Sequence, residues 1–299
     1  EKYTLFSSFS VSIQQVINGL FLAGVVGVVI IGGIKRIGHV TGFLAPIMAF
    51  IYVTAASLIL VMYIGDIGAS FSLIIEMAFN PPATIAGTGG GILLTMLWGI
   101  KRGLYSNEAG QGSAAIAHST AKTKYPVREG AVAMLGPYID TIIICTLTGL
   151  VIISTGAWHH TEFYKNAIDP YFAGELLNSS LLTAFAFKTG LNPLFDYGDK
   201  IVTASVLLFA ISTAISWSFY GDRATEYLFG EKALVPYRWV FVLFVFLGAI
   251  ASLEAVWAFG DAALGIMTFP NLISILLLAK SLKTMTTDYF SKEHVPYKQ

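Results

Sequence analysis

Polar residues gather in one place in an otherwise oily chain, the run K-R-G-L-Y-S-N-E-A-G-Q-G-S from Lys101 to Ser113. The uncharged stretch before it, Thr84 to Ile100, is too short to cross a bilayer at about 1.5 Å per residue. Past Gly112 small apolar residues resume at Ala114 to Ala117. The spacing predicts two half-length helices separated by a break that carries Ser106, Asn107, Glu108, Gly110 and Gly112. Broken helices at membrane depth survive only where the freed backbone groups face protein or a polar cavity. An unwound turn offers amide N–H groups that favour a carboxylate, and carbonyl oxygens that suit a cation or an ammonium group. A zwitterionic solute presents both charges.

Two acids raise a common question, Glu108 in the break and Asp140 in the next span. An ionised Glu108 at membrane depth is costly unless compensated, so it is paired with Arg102, protonated, or close to a cation. Asp140 is the only charge between Ala131 and Thr155; it is either functional or simply hydrogen-bonded by Thr141 and a nearby loop. A second polar group lies in F-A-I-S-T-A-I-S-W-S-F-Y-G at 209–221. Ser212 and Thr213 are hard oxygen ligands able to complete a sodium shell, or hydroxyls that bond back to the preceding turn. Trp217, four residues past Thr213, shares its helix face and either walls a small side-chain pocket or sits in an interfacial belt.

The elements that must hold these groups follow from composition. A hydrophobic fraction of 55% with only 12% charged residues departs from soluble domains, which carry about 25% charge. The mean hydropathy is +0.70, and the chain is predicted to be an integral membrane protein. Net charge +0 and the lack of a dense basic patch argue against a nucleic-acid partner. The single Cys145 excludes an intrachain disulfide or a cysteine metal cluster and reads as a packing residue. No leader precedes the first apolar run, and the start at Glu1 without Met is taken as truncation.

In order, uncharged runs at Val11–Ile34 and Thr41–Ile64 form a helical hairpin turning at Lys35 and Arg36, with Pro46 near the start of the second. Gln14, Gln15 and Asn18 line a cavity or are solvated at a span end. Ile67, Phe71, Ile74, Ile75 and Ala78 recur at helical spacing between Gly65 and Pro82, predicting an interfacial helix over the outer mouth. The broken helix and the span Ala131–Thr155 follow. Gly156 to Tyr197 is a long connection read as an outer lid, with a short amphipathic piece near Gly174–Phe187. The adjacent His159 and His160 point apart and read as solvated, and the sequon at Asn178 is given no weight. Spans at Ile201–Gly221, Trp239–Leu253 and Ala262–Ala279 close the chain, the last kinked at Pro270 and Asn271.

Alternating these seven segments gathers 14 cations on one side: Lys35, Arg36, Lys101, Arg102, Lys122, Lys124, Arg128, Arg223, Lys232, Arg238, Lys280, Lys283, Lys292 and Lys298. The other side has 4, namely Lys2, Lys165, Lys188 and Lys200. The positive-inside rule then places the C-terminus in the cytoplasm. Removing Lys101 and Arg102 to the midplane leaves 12 against 4, the same answer.

R-G-L-Y-S-N-E-A-G-Q-G-S at 102–113, A-H-S-T-A-K-T-K-Y-P-V-R-E-G after it, and Y-I-D-T-I-I-I-C-T-L-T-G-L-V-I at 138–152 resemble the alanine/glycine:cation symporter family. So do G-G-I-K-R-I at 32–37, S-T followed by W-S-F-Y-G within 212–221, and F-P-N at 269–271. Nearly the whole chain takes part, although the family's proteins are longer and their first helices have no counterpart here. The resemblance implies an all-α integral membrane protein of the five-plus-five inverted-repeat amino acid transporter fold, with about seven transmembrane helices here, one of them discontinuous. Residues 1–64 would hold the last two helices of the first repeat and 65–299 the second repeat. The implied function is secondary active symport by alternating access in the cell membrane. Small amino acids (alanine, glycine) are the implied cargo, sodium or a proton the coupling ion, and no cofactor is implied. It further implies substrate contacts at Tyr105, Ser106, Asn107, Gly110 and Trp217, and a cation at Ser212 and Thr213. The partner broken helix is absent upstream, so the chain is expected to hold about half of a site. An intramembrane enzyme using Glu108 or Asp140 lacks paired-carboxylate, His-Glu-x-x-His or serine-nucleophile spacing. A channel would want rings of like residues, which the sequence does not show.

Overall fold

A computed structural model describes residues 2–6, 9–80, 91–159 and 179–293. A short antiparallel hairpin, β1 (Lys2–Phe6) and β2 (Phe9–Ser12), precedes the helices. The rest is helical: α1 (Ile13–Ile31), α2 (Ile34–Met62), α3 (Ile67–Phe79), α4 (Gly91–Asn107), α5 (Ser113–His118) and α6 (Pro126–Ser154). Then come α7 (Ser179–Leu191), α8 (Gly198–Phe229), α9 (Leu234–Ile250) and α10 (Leu253–Phe290). Among the described residues six helices are long and apolar enough to cross a membrane: α1, α2, α6, α8, α9 and α10. The seventh expected span is represented by α4, 17 residues long, which is about 26 Å at 1.5 Å per residue. Residues 84–90 at its head, His160, the Asn178 sequon and the start of the piece at Gly174 lie outside the described residues.

Local sequence explains most boundaries. Ser12 and Gln15 form a capping box at α1: Gln15 N–H donates to Ser12 Oγ at 3.2 Å, and Ser12 N–H donates to Gln15 Oε1 at 2.8 Å. Of the three polar residues expected to line a cavity or face solvent, Gln15 is therefore a cap. Gly33, with φ 78°, makes the sharp turn into α2. That helix starts earlier than the expected Thr41 and takes Lys35 and Arg36 into its first turn, where Arg36 Nη1 reaches back to Val28 O at 3.1 Å. α10 runs unbroken past Pro270 to Phe290, eleven residues beyond the expected end at Ala279. Its Leu276 and Leu277 are about three-quarters exposed (76% and 78%), as lipid-facing side chains are.

The chain divides into two compact units. The second, residues 24–102 and 141–219, contains a dry core of Ala55, Ala56 and Ile59 on α2, Val151 on α6, and Phe185, Phe187 and Leu191 on α7. Sequence reasoning put α7 in a polar connection, yet it supplies much of this core. Tyr52 stacks on Phe187 at 5.1 Å and shares a 2.7 Å hydrogen bond with Thr148, which satisfies its hydroxyl inside the apolar packing. Gly198 permits α8 to begin against α7, because a Cβ there would lie 2.2 Å from Phe187 O. The first unit, residues 1–23, 103–140 and 220–299, contains the break. There Asp222 on α8 is 1% exposed and is held bidentately by Arg238 on α9, at 2.7 Å to Nη2 and 3.1 Å to Nε.

Candidate functional site

α4 carries apolar residues up to Ile100 and then K-R-G-L-Y-S-N, so its last turns are already polar. It ends where Glu108, Gly110 and Gly112 adopt φ of 55°, 79° and 95°. The two glycines accept this left-handed geometry, whereas Glu108 is the single described non-glycine residue to adopt it. Only Glu108 to Gly112 are unwound, so Tyr105, Ser106 and Asn107 occupy the last helical turn rather than the break itself. The continuation, α5, has six residues, which corrects the expectation of a second half-length helix.

Side chains stitch the break together. Asn107 Oδ1 accepts from Ala109 N–H at 2.9 Å, and Gln111 Nε2 donates to Leu104 O at 3.2 Å, capping the carbonyl end of α4. Ser113 donates a short hydrogen bond to Glu108 Oε2. From α10, Asn271 Nδ2 donates to Gly110 O at 2.8 Å. The same asparagine packs so closely on Gly112 that a Cβ there would stand 3.1 Å from its Cγ. Tyr105 is fixed one region up α10, with its ring 5.1 Å from that of Trp257 and its hydroxyl over Gly260.

Ser106 and Asp140 are brought together, Ser106 Oγ donating to Asp140 Oδ2 in a short hydrogen bond. Asp140 is thus a hydrogen-bonded acid whose donor is Ser106 rather than Thr141 or a loop. Asp140 lies in a π-helical stretch, Tyr138–Cys145. Gly136 and Pro137 stand just before it; the proline lacks an N–H for the preceding turn, which loosens the ladder where the wider register begins. Ser212, Thr213 and Trp217 lie in the second unit on α8. Ser212 is buried and donates to Phe209 O at 3.0 Å. This is the back-bond, and it leaves the lone pairs of the hydroxyl oxygen as acceptors.

Sequence reasoning missed two residues here. Asn271 was read only as part of a kink, although an asparagine beside a proline in an oily helix was a signal. Gln111 was not singled out at all. It is 4% exposed, and its Oε1 is buried with no hydrogen-bond donor among the described residues. A buried amide oxygen without a donor is costly, and this one is an acceptor inside the interrupted segment.

The model of the sodium:alanine symporter family matches residues 2–298. This chain belongs to that family. Among relatives within it, the sodium/alanine symporter AgcS of Methanococcus maripaludis is 43% identical over 89% of this chain and 55% of its own length. A sodium/proton-dependent alanine carrier of Bacillus sp. strain PS3 is 31% identical over 93% of this chain and 62% of its own. A probable sodium/glutamine symporter, GlnT, of Bacillus subtilis is 30% identical over 91% and 53%. The chain thus spans little more than half the length of these curated relatives. Sodium:alanine symporter proteins are transporters, not enzymes, which removes the intramembrane-enzyme alternative at Glu108 and Asp140. The helical, multi-pass membrane architecture read from composition agrees with membership.

Proposed function

We propose that the protein is a secondary active transporter that carries small amino acids, alanine and glycine, into the cell by sodium-coupled symport. The observation that carries the reading is the interrupted helix end at Glu108–Gly112, with its left-handed backbone and the buried oxygen of Gln111 that has no donor among the described residues. Such an unwound segment supplies fixed main-chain dipoles, and a buried acceptor suits an ammonium group or a cation. Tyr105, Ser106, Asn107 and Gly110 contact the amino acid, Trp217 limits its side chain, and Ser212 and Thr213 offer oxygen atoms to sodium. Glu108, with Arg102 and Asp140, forms the ion-pair or proton-handling group. Residues 1–64 end the first repeat of a five-plus-five fold and 65–299 form the second, in a cell membrane with the C-terminus in the cytoplasm. The excess of cations on one side supports that orientation. The names of the relatives support sodium and alanine, and one of them also names the proton.

The test is uptake of labelled alanine into proteoliposomes, with and without an inward sodium gradient, by the full transporter that contains this chain. Uptake requires the sodium gradient, Trp217→Ala weakens alanine binding, and Ser212→Ala raises the sodium concentration needed. Unchanged behaviour in both variants would sink the site assignment. Uptake that follows a proton gradient and ignores sodium would replace the coupling ion. This segment alone is expected to give no sodium-driven uptake, because it spans little more than half the length of its curated relatives.

A further inference from the structure

A cleft of about 220 Å³ opens in the second unit between the start of α3 and the C-terminal end of α6. It lies wholly within that unit and uses none of the residues assigned above. Its lining includes the exposed Asp66 at the rim, the buried Ser70 at depth beside the part-buried Ser154, the apolar Leu73 and Ile153, and the half-buried Trp158. The space is large enough for a solute of several heavy atoms.

Two polar features of the cleft are incomplete. Ser70, 4% exposed, and Ser154 share one hydrogen bond of 2.9 Å between their hydroxyls, and either can be the donor. Two hydroxyls carry two protons and this bond uses one. Neither serine makes a second hydrogen bond among the described residues, so one O–H of the part-buried pair is left to donate. Asp66 precedes α3 directly but caps none of its amides, and its carboxylate has no ion-pair or hydrogen-bond partner among the described residues. Asp66 and Ser70 are four residues apart, which on a helical path puts their Cβ atoms about 5–6 Å apart on one face. An acceptor at the rim and a donor at depth, one helical turn apart with apolar walls between, match a solute with an ammonium group, an acceptor group and a small apolar body.

We infer that this cleft is a second binding site for a small zwitterionic amino acid, with the ammonium on Asp66 and the carboxylate on the spare serine proton. The side chain lies against Leu73, Ile153 and the indole of Trp158. The identity of the solute rests on the function proposed above. On the orientation proposed there, α2 ends and α3 begins on the outer side, so the site holds substrate outside before it enters.

The experiment labels the full transporter with 5-fluorotryptophan and follows the fluorine resonance that disappears in Trp158→Phe. Alanine shifts this resonance saturably, whereas acetate and methylammonium, each carrying one of the two charges, do not at the same concentration. Asp66→Asn and Ser154→Val each weaken the alanine response by about tenfold or more, the scale on which one charge-assisted hydrogen bond acts. Ala69→Leu, which adds bulk to the wall without touching a polar group, abolishes it. The response persists in Trp217→Ala. No saturable shift, an equal shift with acetate, or a response unchanged by Asp66→Asn in protein with a parental circular dichroism spectrum overturns the inference. If sodium-driven uptake is absent while the Trp158 response is present, only the transport reading fails. If uptake is present and the response absent, only this site fails.

Discussion

Asn271→Ala removes the one tie from α10 whose loss should be felt directly in the break. The wild-type amide donates to Gly110 O at 2.8 Å and fills the space beside Gly112, where no Cβ fits without displacing it. Truncation strands a half-buried carbonyl, at a cost of about 1–3 kcal/mol. If that cost falls on the closed arrangement of the break, the population of open arrangements rises by about 5- to 150-fold. Asn271→Asp keeps the volume but turns a carboxylate oxygen toward a carbonyl oxygen, so it must be worse than alanine. The assay uses Ala109→Cys in a Cys145→Ala background, with any cysteine outside these residues also replaced, and measures the rate of maleimide labelling at residue 109. Labelling accelerates within that range for Asn271→Ala and further for Asn271→Asp, and alanine uptake falls in the same order. Labelling rates within about twofold of the parent, well under the 1.4 kcal/mol that marks tenfold, would refute the argument. So would an aspartate variant no worse than alanine, since then donation by the amide would not be what holds the break.

Arg238→Met alone leaves the buried Asp222 carboxylate unpaired and should cost about 3–5 kcal/mol, whereas the Asp222→Leu/Arg238→Met double variant recovers most of it; thermal unfolding in detergent reads both. Gly198→Ala forces a methyl to 2.2 Å from Phe187 O, which backbone alone can relieve, so it lowers the melting temperature and the yield of folded protein. Gly221→Ala meets the Tyr237 hydroxyl at 1.7 Å, and adding Tyr237→Phe returns part of the stability because the next ring atom stands at 2.3 Å. Ile59→Ala, at a position with 0% exposure in the core of the second unit, costs about 2–5 kcal/mol by the same unfolding measurement.

The interruption after Asn107 was legible because glycine and polar residues punctuate an oily run, and local backbone preference acts at that scale. The same holds for the long apolar spans, whose residues must face lipid whatever they pack against. Periodicity did not reveal that α7 belongs to a core, since Phe185, Phe187 and Leu191 are buried by α2 and α6, which are distant in sequence. The narrowing of the unwound segment to five residues, the six-residue continuation, and the π-helical register around Asp140 are likewise tertiary results. They depend on where hydrogen-bond partners stand, not on which residues are neighbours. Asn271 lies 161 residues from Gly110 in the chain. Composition by itself determined that this chain is a membrane protein, and its motifs determined the family it resembles, because hydropathy and local sequence are properties of the unfolded chain too. Which carbonyl Asn271 satisfies, that the side-chain oxygen of Gln111 has no donor among the described residues, and which serine faces Asp140 were decided only by the packing of helices that sequence order keeps apart.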